Sequence, residues 1–193
     1  MSKTRNDQQT AQVEITNIGG IDHSSLTLNP GVNVLSGKNA TNRTSFLQAL
    51  MAVCGSEQTT VKADAEHGEV TLSMGEKRYS FDGEPYLDDP ILADLFAFLL
   101  ENNEARQAVA RGDNLRESER EITGLVFALA GYLVREVYDH VPFMLLDSIE
   151  AVDSDRIARL VDYLASYSDY LVVALLEEDA QALDDSYPRI KSI

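Results

Sequence analysis

Residues 31–50 read GVNVLSGKNATNRTSFLQAL, an apolar strand that runs into a turn-rich loop and then into an amphipathic helix. The loop follows the frame G-x-x-x-x-G-K-[ST] of a phosphate-binding loop, with Gly37 in the first position and Thr44 in the last. Two key positions differ, because Asn42 replaces the second glycine and Arg43 replaces the lysine. We therefore predict a nucleotide site that has drifted from the usual motif.

The residue types in this loop fit phosphate chemistry. Backbone N–H groups at a helix N-terminus point into an anion-sized hollow, and Asn42 is the best substitute for glycine because Asn tolerates left-handed backbone. Arg43 keeps the positive charge as a wide planar fork, and Lys38 offers a second cation. Thr44 keeps the hydroxyl that would bind Mg²⁺. Taken alone, the loop also fits an ordinary polar turn before a helix.

A second stretch strengthens the nucleotide interpretation. Residues 142–147 read PFMLLD, an apolar strand that ends in Asp147. An aspartate that coordinates Mg²⁺ through water requires this position at the end of a buried strand. Many buried strands end in aspartate, so it is the combination with the loop that predicts a nucleotide site.

Charge is the main compositional feature. The chain of 193 residues has 32 acidic and 16 basic residues, for a formal net charge of -16, and the acids are spread along its length. Such self-repulsion is screened in concentrated salt, which favours a protein of a halophilic, salt-loaded archaeal cytoplasm. An ordinary acidic protein is the alternative. No basic stripe is visible, which weakens an expectation of direct DNA binding without excluding it.

The chain is long enough for one domain with a real core. We expect residues 1–12 to be a disordered lead-in without a signal-peptide core, and residues 13–193 to form a single domain. No apolar stretch approaches the roughly 20 residues of a membrane helix, so we expect a cytoplasmic location. Cys54 is the single cysteine, and we interpret it as a buried structural thiol.

The remaining pattern predicts an α/β fold with a mainly parallel core sheet and a small antiparallel accessory sheet. Alternation over Thr59–Asp82 indicates an antiparallel meander, and the apolar run Tyr170–Leu176 indicates a strand buried on both faces. Helical spacing predicts helices over Pro90–Ala110 and after Ser118, where Ser118 and Glu121 match a capping box.

Four stretches resemble the heads of SMC and Rad50-like ATPases of the ABC superfamily. They are a first strand with its asparagine, the run into the phosphate loop, the signature region with its helix, and the acidic strand with the D-loop: Val13–Ile18, Pro30–Asn39, Leu115–Ala130 and Phe143–Asp153. Two runs, residues 95–113 and 145–158, resemble the archaea-specific SMC-related proteins of haloarchaea in particular. The resemblance implies a P-loop NTPase fold for nearly the whole chain.

The resemblance implies a function as well as a fold. Two heads would sandwich ATP and Mg²⁺ in a nucleotide-dependent homodimer, in service of chromosome organisation, chromosome segregation or DNA repair, with DNA or another protein as a possible partner. Thr44 and Asp147 would hold Mg²⁺, Ser118 would approach the opposing γ-phosphate, and Asp153 would lie at the dimer seam. The phosphate-binding residues would be Gly37, Lys38, Asn39, Ala40, Thr41, Asn42, Arg43, Thr44 and Ser45.

Several positions depart from the family pattern. Ser148 stands where the family has its glutamate general base, and Glu150 is the nearest substitute. Leu115 and Ser118 nearly abut, so the coiled-coil arm between the half-heads 13–115 and 118–193 is absent. We therefore expect slow or impaired hydrolysis. The alternative is a pseudo-ATPase interaction module, and a third interpretation is an unrelated acidic α/β scaffold.

Overall fold

A computed structural model describes residues 9–37, 42–56, 59–82, 84–85, 117–139, 141–147, 149 and 152–193. These residues form nine strands, four α-helices and one 3-10 turn. In chain order the elements are β1 (Ala11–Ile18), β2 (Ile21–Leu28), β3 (Gly31–Gly37), α1 (Arg43–Val53), β4 (Glu69–Met74), β5 (Lys77–Asp82), β6 (Glu84–Pro85), α2 (Glu117–Val134), a 3-10 turn (Val137–Asp139), β7 (Phe143–Leu146), α3 (Ser154–Leu164), β8 (Tyr170–Leu176), α4 (Glu177–Ala180) and β9 (Arg189–Ile190).

A parallel sheet has the strand order β7-β8-β3-β9, as the apolar runs predicted. β3 pairs in register with β8 from Gly31 opposite Tyr170 to Gly37 opposite Leu176. Apolar residues on one face of this sheet pack with α1, and those on the other face pack with α3. Burial on both faces explains why β8 is continuously apolar rather than alternating.

An antiparallel sheet has the order β2-β1-β4-β5-β6. The predicted meander supplies β4 and β5, but β1 and β2 also belong to this sheet, which is therefore larger than the small accessory sheet we expected. The alternating burial of β1, with Val13 and Ile15 inside, fits an antiparallel strand that has one covered face. One core cluster joins this sheet, α1 and the parallel sheet, which confirms the predicted α/β class.

Some boundaries differ from the predictions. β1 begins at Ala11, so the last two residues of the predicted lead-in over residues 1–12 belong to a strand, and the rest of that lead-in stays a prediction. α2 already includes Glu117 and Ser118, so Ser118 does not cap it from outside. The last segment forms α4 and β9, and β9 pairs with β3, a pairing too short to leave a sequence pattern. The predicted helix over Pro90–Ala110 lies outside the described residues.

The predicted apolar face of α2 is only partly buried. Val126 and Val134 are 61% and 79% exposed, whereas Gly124 and Gly131 are buried. Helical periodicity predicted the helix correctly, but it could not tell which of its sides faces the rest of the protein.

Cys54 lies at the C-terminal cap of α1, and burial raises the pKa of its thiol from 9.0 to about 12. We expect the native protein at pH 8 to react with a thiol reagent at least roughly a hundredfold more slowly than the unfolded protein, because the thiolate is the reactive form. Folding raises this pKa, so the thiol ionises more easily in the unfolded state. The free energy of unfolding should therefore fall as the pH rises from 9.0 towards about 12. Labelling followed by mass spectrometry, with and without denaturant, measures the first effect. Equal rates in the two states would contradict a buried thiol.

Candidate functional site

The start of α1 has the backbone geometry that the loop motif predicted. Asn42 adopts φ 57 and ψ 19, the left-handed conformation expected where a glycine usually stands. Its carbonyl accepts the first helical hydrogen bond from the Phe46 N–H at 2.9 Å, but its side chain caps no N–H group. The first turn of α1 is therefore not capped by Asn42, which suits an anion-binding helix terminus.

Arg43, the first residue of α1, has an unusual environment. Its Nη1 atom is buried, and within the described residues it has no hydrogen-bond acceptor. A buried donor without an acceptor is costly, and a guanidinium donor is best satisfied by a carboxylate or phosphate oxygen. Arg43 therefore fits a site that binds an anion. Lys38, Asn39, Ala40 and Thr41 lie outside the described residues.

β3 leads into the phosphate loop, and the buried side chain of Asn33 fixes the beginning of this strand. The Asn33 side chain donates to the carbonyls of Asn29 at 2.7 Å and Gly31 at 3.1 Å, and it accepts from the Asn29 N–H at 2.8 Å. These bonds hold the turn before β3, and Gly31 in that turn has φ 90, a conformation that favours glycine. Sequence reasoning gave Asn33 no structural role.

Asp147 follows β7 and is exposed at the carboxyl end of the parallel sheet, the same edge at which β3 ends. β8 lies between β3 and β7, so these strands are about 10 Å apart at two inter-strand spacings. Leu146 at the end of β7 and Val34 of β3 both pair with Val173, so β7 ends about 10 Å, or three residues, before β3 ends at Gly37. Thr44 is exposed on the first turn of α1. The predicted catalytic positions Ser148 and Glu150 lie outside the described residues.

The turn between β1 and β2 contacts the start of α1, an arrangement that sequence reasoning missed. The Gly20 N–H donates to Ser45 Oγ at 3.1 Å. A Cβ added to Gly19 would come within 2.9 Å of the Ser45 Cβ, and one added to Gly20 within 3.3 Å of the Asn42 Cγ. Two adjacent glycines indicate a turn or a close backbone approach, but the sequence does not say which element they approach.

Asp153 has a local structural role at the start of α3. Its carboxylate accepts from the Arg156 N–H at 3.2 Å and pairs with the Arg156 guanidinium at 3.0 Å, as an N-cap does. The neighbouring Ser154 hydroxyl donates to the Asp179 carboxylate at 2.9 Å, which links α3 to α4. The place of Asp153 at a dimer seam stays a prediction, as does the role of Ser118 at the start of α2.

Two further observations concern metals and membranes. The described residues contain no group of three or more His, Cys, Asp or Glu side chains placed to hold a metal ion. Within the same part of the chain, no helix combines the length and the apolar character of a membrane span.

Comparison with known proteins gives sequence relatives and a fold. No protein-family model matches the chain. It is 69% identical over 78 residues to the Smc-like protein Sph3 of Haloferax volcanii, which covers 40% of this chain and 12% of that protein. It is 61% identical over 83 residues to the Smc-like protein Sph2 of Halobacterium salinarum, which covers 43% of this chain and 12% of that protein. The chain thus spans only 12% of the length of either relative.

The fold comparison covers most of the chain. The SMC head domain from Thermotoga maritima superposes with a TM-score of 0.54 and 14% identity, over 91% of this chain and 92% of that domain. Identity this low supports the fold alone. The haloarchaeal sequence similarity and the shared fold together confirm the predicted resemblance, and this chain has the fold of an SMC-like ABC ATPase head.

Proposed function

We propose that this chain is an ATP·Mg²⁺-binding SMC-like head that dimerises around nucleotide and hydrolyses ATP slowly. The observation that carries the proposal is the start of α1. There an asparagine in left-handed backbone precedes a helix terminus that its side chain does not cap, and Arg43 carries a buried donor that has no acceptor among the described residues. A triphosphate would supply oxygens to both.

The proposal assigns distinct roles to the residues around this terminus. The backbone of residues 37–45 would surround the phosphates, and Arg43 would donate to a phosphate oxygen. Thr44 would hold Mg²⁺ directly and Asp147 through water, and the ion would neutralise charge on the phosphates. Ser148 and Glu150 are the positions where a base would act, and serine cannot take a proton at neutral pH. Slow hydrolysis follows from that substitution.

The same family resemblance supports a nucleotide-dependent homodimer in the cytoplasm, with Ser118 and Asp153 at its seam and a role in chromosome organisation or DNA repair. Each head has a formal net charge of -16, so two heads repel each other and also repel ATP in dilute salt. Molar salt shortens the range of that repulsion to roughly 3 Å. Binding and dimerisation should therefore be measured in molar KCl.

Arg43→Ala should weaken ATP·Mg²⁺ binding by about tenfold to a hundredfold, because hydrogen bonds to charged groups contribute about 1.5–3 kcal/mol. Calorimetric titration in molar KCl measures this, after circular dichroism has shown that both proteins are folded. Arg78→Ala is the matched control, because Arg78 is exposed on β5 and its substitution removes the same charge. If Arg43→Ala and Arg78→Ala bind ATP equally well, Arg43 does not contact phosphate.

A pseudo-ATPase is the second candidate, and two observations favour it. Ser148 stands in place of the base, and the first turn of α4, directly after β8, is acidic, with Glu177, Glu178 and Asp179. The resemblance to SMC and Rad50-like heads implies a histidine after this strand, and in this chain acidic residues stand in its place. If folded wild-type protein in molar KCl binds no ATP, the fold serves as an interaction module, and if it binds ATP without turnover, only hydrolysis is lost.

A further inference from the structure

We propose that the turn over Asn17–Gly20 positions the first turn of α1, and that Ser45 acts there as a positioning residue rather than as a phosphate ligand. This deepens the proposed nucleotide site and rests on it. The turn would keep α1 uncapped and Asn42 left-handed, which are the features that an incoming phosphate needs.

The contact between the turn and α1 leaves no room for a side chain at Gly19 or at Gly20. The Gly20 N–H donates to Ser45 Oγ at 3.1 Å, so this hydroxyl already serves as an acceptor within the protein. A Cβ on Gly19 would fall on Ser45, and a Cβ on Gly20 would meet the Asn42 side chain. The backbone of Gly19 and Gly20 therefore packs directly against Asn42 and Ser45 at the start of α1.

The other side of the turn is fixed by the segment that precedes β4. The Gly19 N–H donates to the Thr60 carbonyl at 2.8 Å, and the Lys62 N–H donates to the Asn17 carbonyl at 2.9 Å. The Asn17 side chain donates to the His67 carbonyl at 3.0 Å. Asn17 also has φ 56, a left-handed conformation that asparagine adopts more readily than most other residues. Hydrogen bonds to this segment on one side and to Ser45 on the other hold the turn in place against α1.

The position of the Asn42 side chain indicates the effect of the contact between the turn and α1. An asparagine before a helix ordinarily turns its side chain back to cap the N–H groups of the first turn. Here the Asn42 side chain lies against Gly20 and caps nothing. The turn thus holds Asn42 away from the donors that a phosphate would use, and Ser45 anchors the turn to the helix.

The first test compares Gly19→Ala with Gly75→Ala, a matched control. Gly19 and Gly75 have nearly the same left-handed φ, 55 and 58, so alanine strains both backbones alike. A Cβ on Gly75, in the β4–β5 turn, would meet the flexible Gln9 side chain rather than a residue of α1. We expect about a tenfold loss of ATP affinity for Gly19→Ala, comparable to the loss of one hydrogen bond, and less than about a twofold change for Gly75→Ala. Equal losses in both variants would overturn the proposal.

Hydrogen exchange of the amides at residues 46–50, the first of which donates to the Asn42 carbonyl, separates this proposal from the proposed function. Gly19→Ala should speed their exchange and Gly75→Ala should not, whether or not the wild type binds nucleotide. If the wild type binds no ATP but this difference is present, the nucleotide proposal fails and the positioning role stands. Unchanged exchange in Gly19→Ala would overturn the positioning role.

Ser45→Ala tests the same contact with a smaller backbone perturbation, and Thr44→Ala is its companion. If Ser45 positions the helix, its alanine variant should lose about tenfold in ATP affinity equally with Mg²⁺ and with EDTA, and it should also speed exchange of the same amides in the nucleotide-free protein. Loss of a phosphate ligand alone would leave that exchange unchanged. Thr44→Ala should lose affinity only when Mg²⁺ is present. An Mg²⁺-dependent loss in Ser45→Ala, or no loss at all, would overturn the assignment of Ser45.

Discussion

Phe46→Ala should destabilise the folded protein by about 3–5 kcal/mol, the range for deleting a fully buried phenylalanine side chain. Phe46 is 0% exposed, in the first turns of α1, within the cluster that joins α1 to both sheets. α1 lies against β1, β4 and β5, so a cavity at Phe46 removes contacts that no single element could restore by moving. Urea unfolding in molar KCl, followed by circular dichroism, measures the loss.

The chain offers a matched control for this substitution. Phe127 is 51% exposed on α2, so Phe127→Ala removes the same atoms from a site that loses little burial. We expect its effect to stay within about 0.5 kcal/mol, as for ordinary surface substitutions. A cost below about 1 kcal/mol for Phe46→Ala would contradict the packing of α1 between the sheets.

Local patterns were sufficient for most of the fold. β3, α1 and β8 were predictable because a buried parallel strand is continuously apolar and a helix that packs on one side has a periodic apolar face. The left-handed conformation at Asn42 was predictable because the motif places a glycine there. In each case the signal lies within about ten neighbouring residues.

The features that could not be predicted depend on distant parts of the chain. The pairing of β9 with β3 and the placement of the Gly19-Gly20 turn on α1 join residues far apart in sequence. The buried side of α2 depends on its neighbours, so the exposure of Val126 and Val134 was not foreseeable from spacing. Asp153 was identified through the family resemblance, whereas its N-cap geometry is a local property that a search for caps would have found.

Asn33→Ala should destabilise the folded protein by about 3 kcal/mol. The Asn33 side chain is 0% exposed in β3 and makes three hydrogen bonds to the backbone of Asn29 and Gly31. Each such bond contributes about 1 kcal/mol, and its removal leaves backbone groups of the turn without partners. Asn29→Ala is the matched control, because the exposed Asn29 side chain has no hydrogen bond among the described residues, and it should change stability by less than about 0.5 kcal/mol.

The location of Asn33 makes this prediction informative about the site as well. Asn33 holds the beginning of β3, whereas the phosphate loop leaves from the other end of the strand at Gly37. If the strand transmits no distortion along its paired length, Asn33→Ala should lose stability and keep its ATP affinity when it is measured well below its unfolding temperature. The opposite is expected for Arg43→Ala, which should lose affinity and keep its stability. A loss of affinity in folded Asn33→Ala protein would mean that the turn before β3 and the loop after it are coupled through the strand.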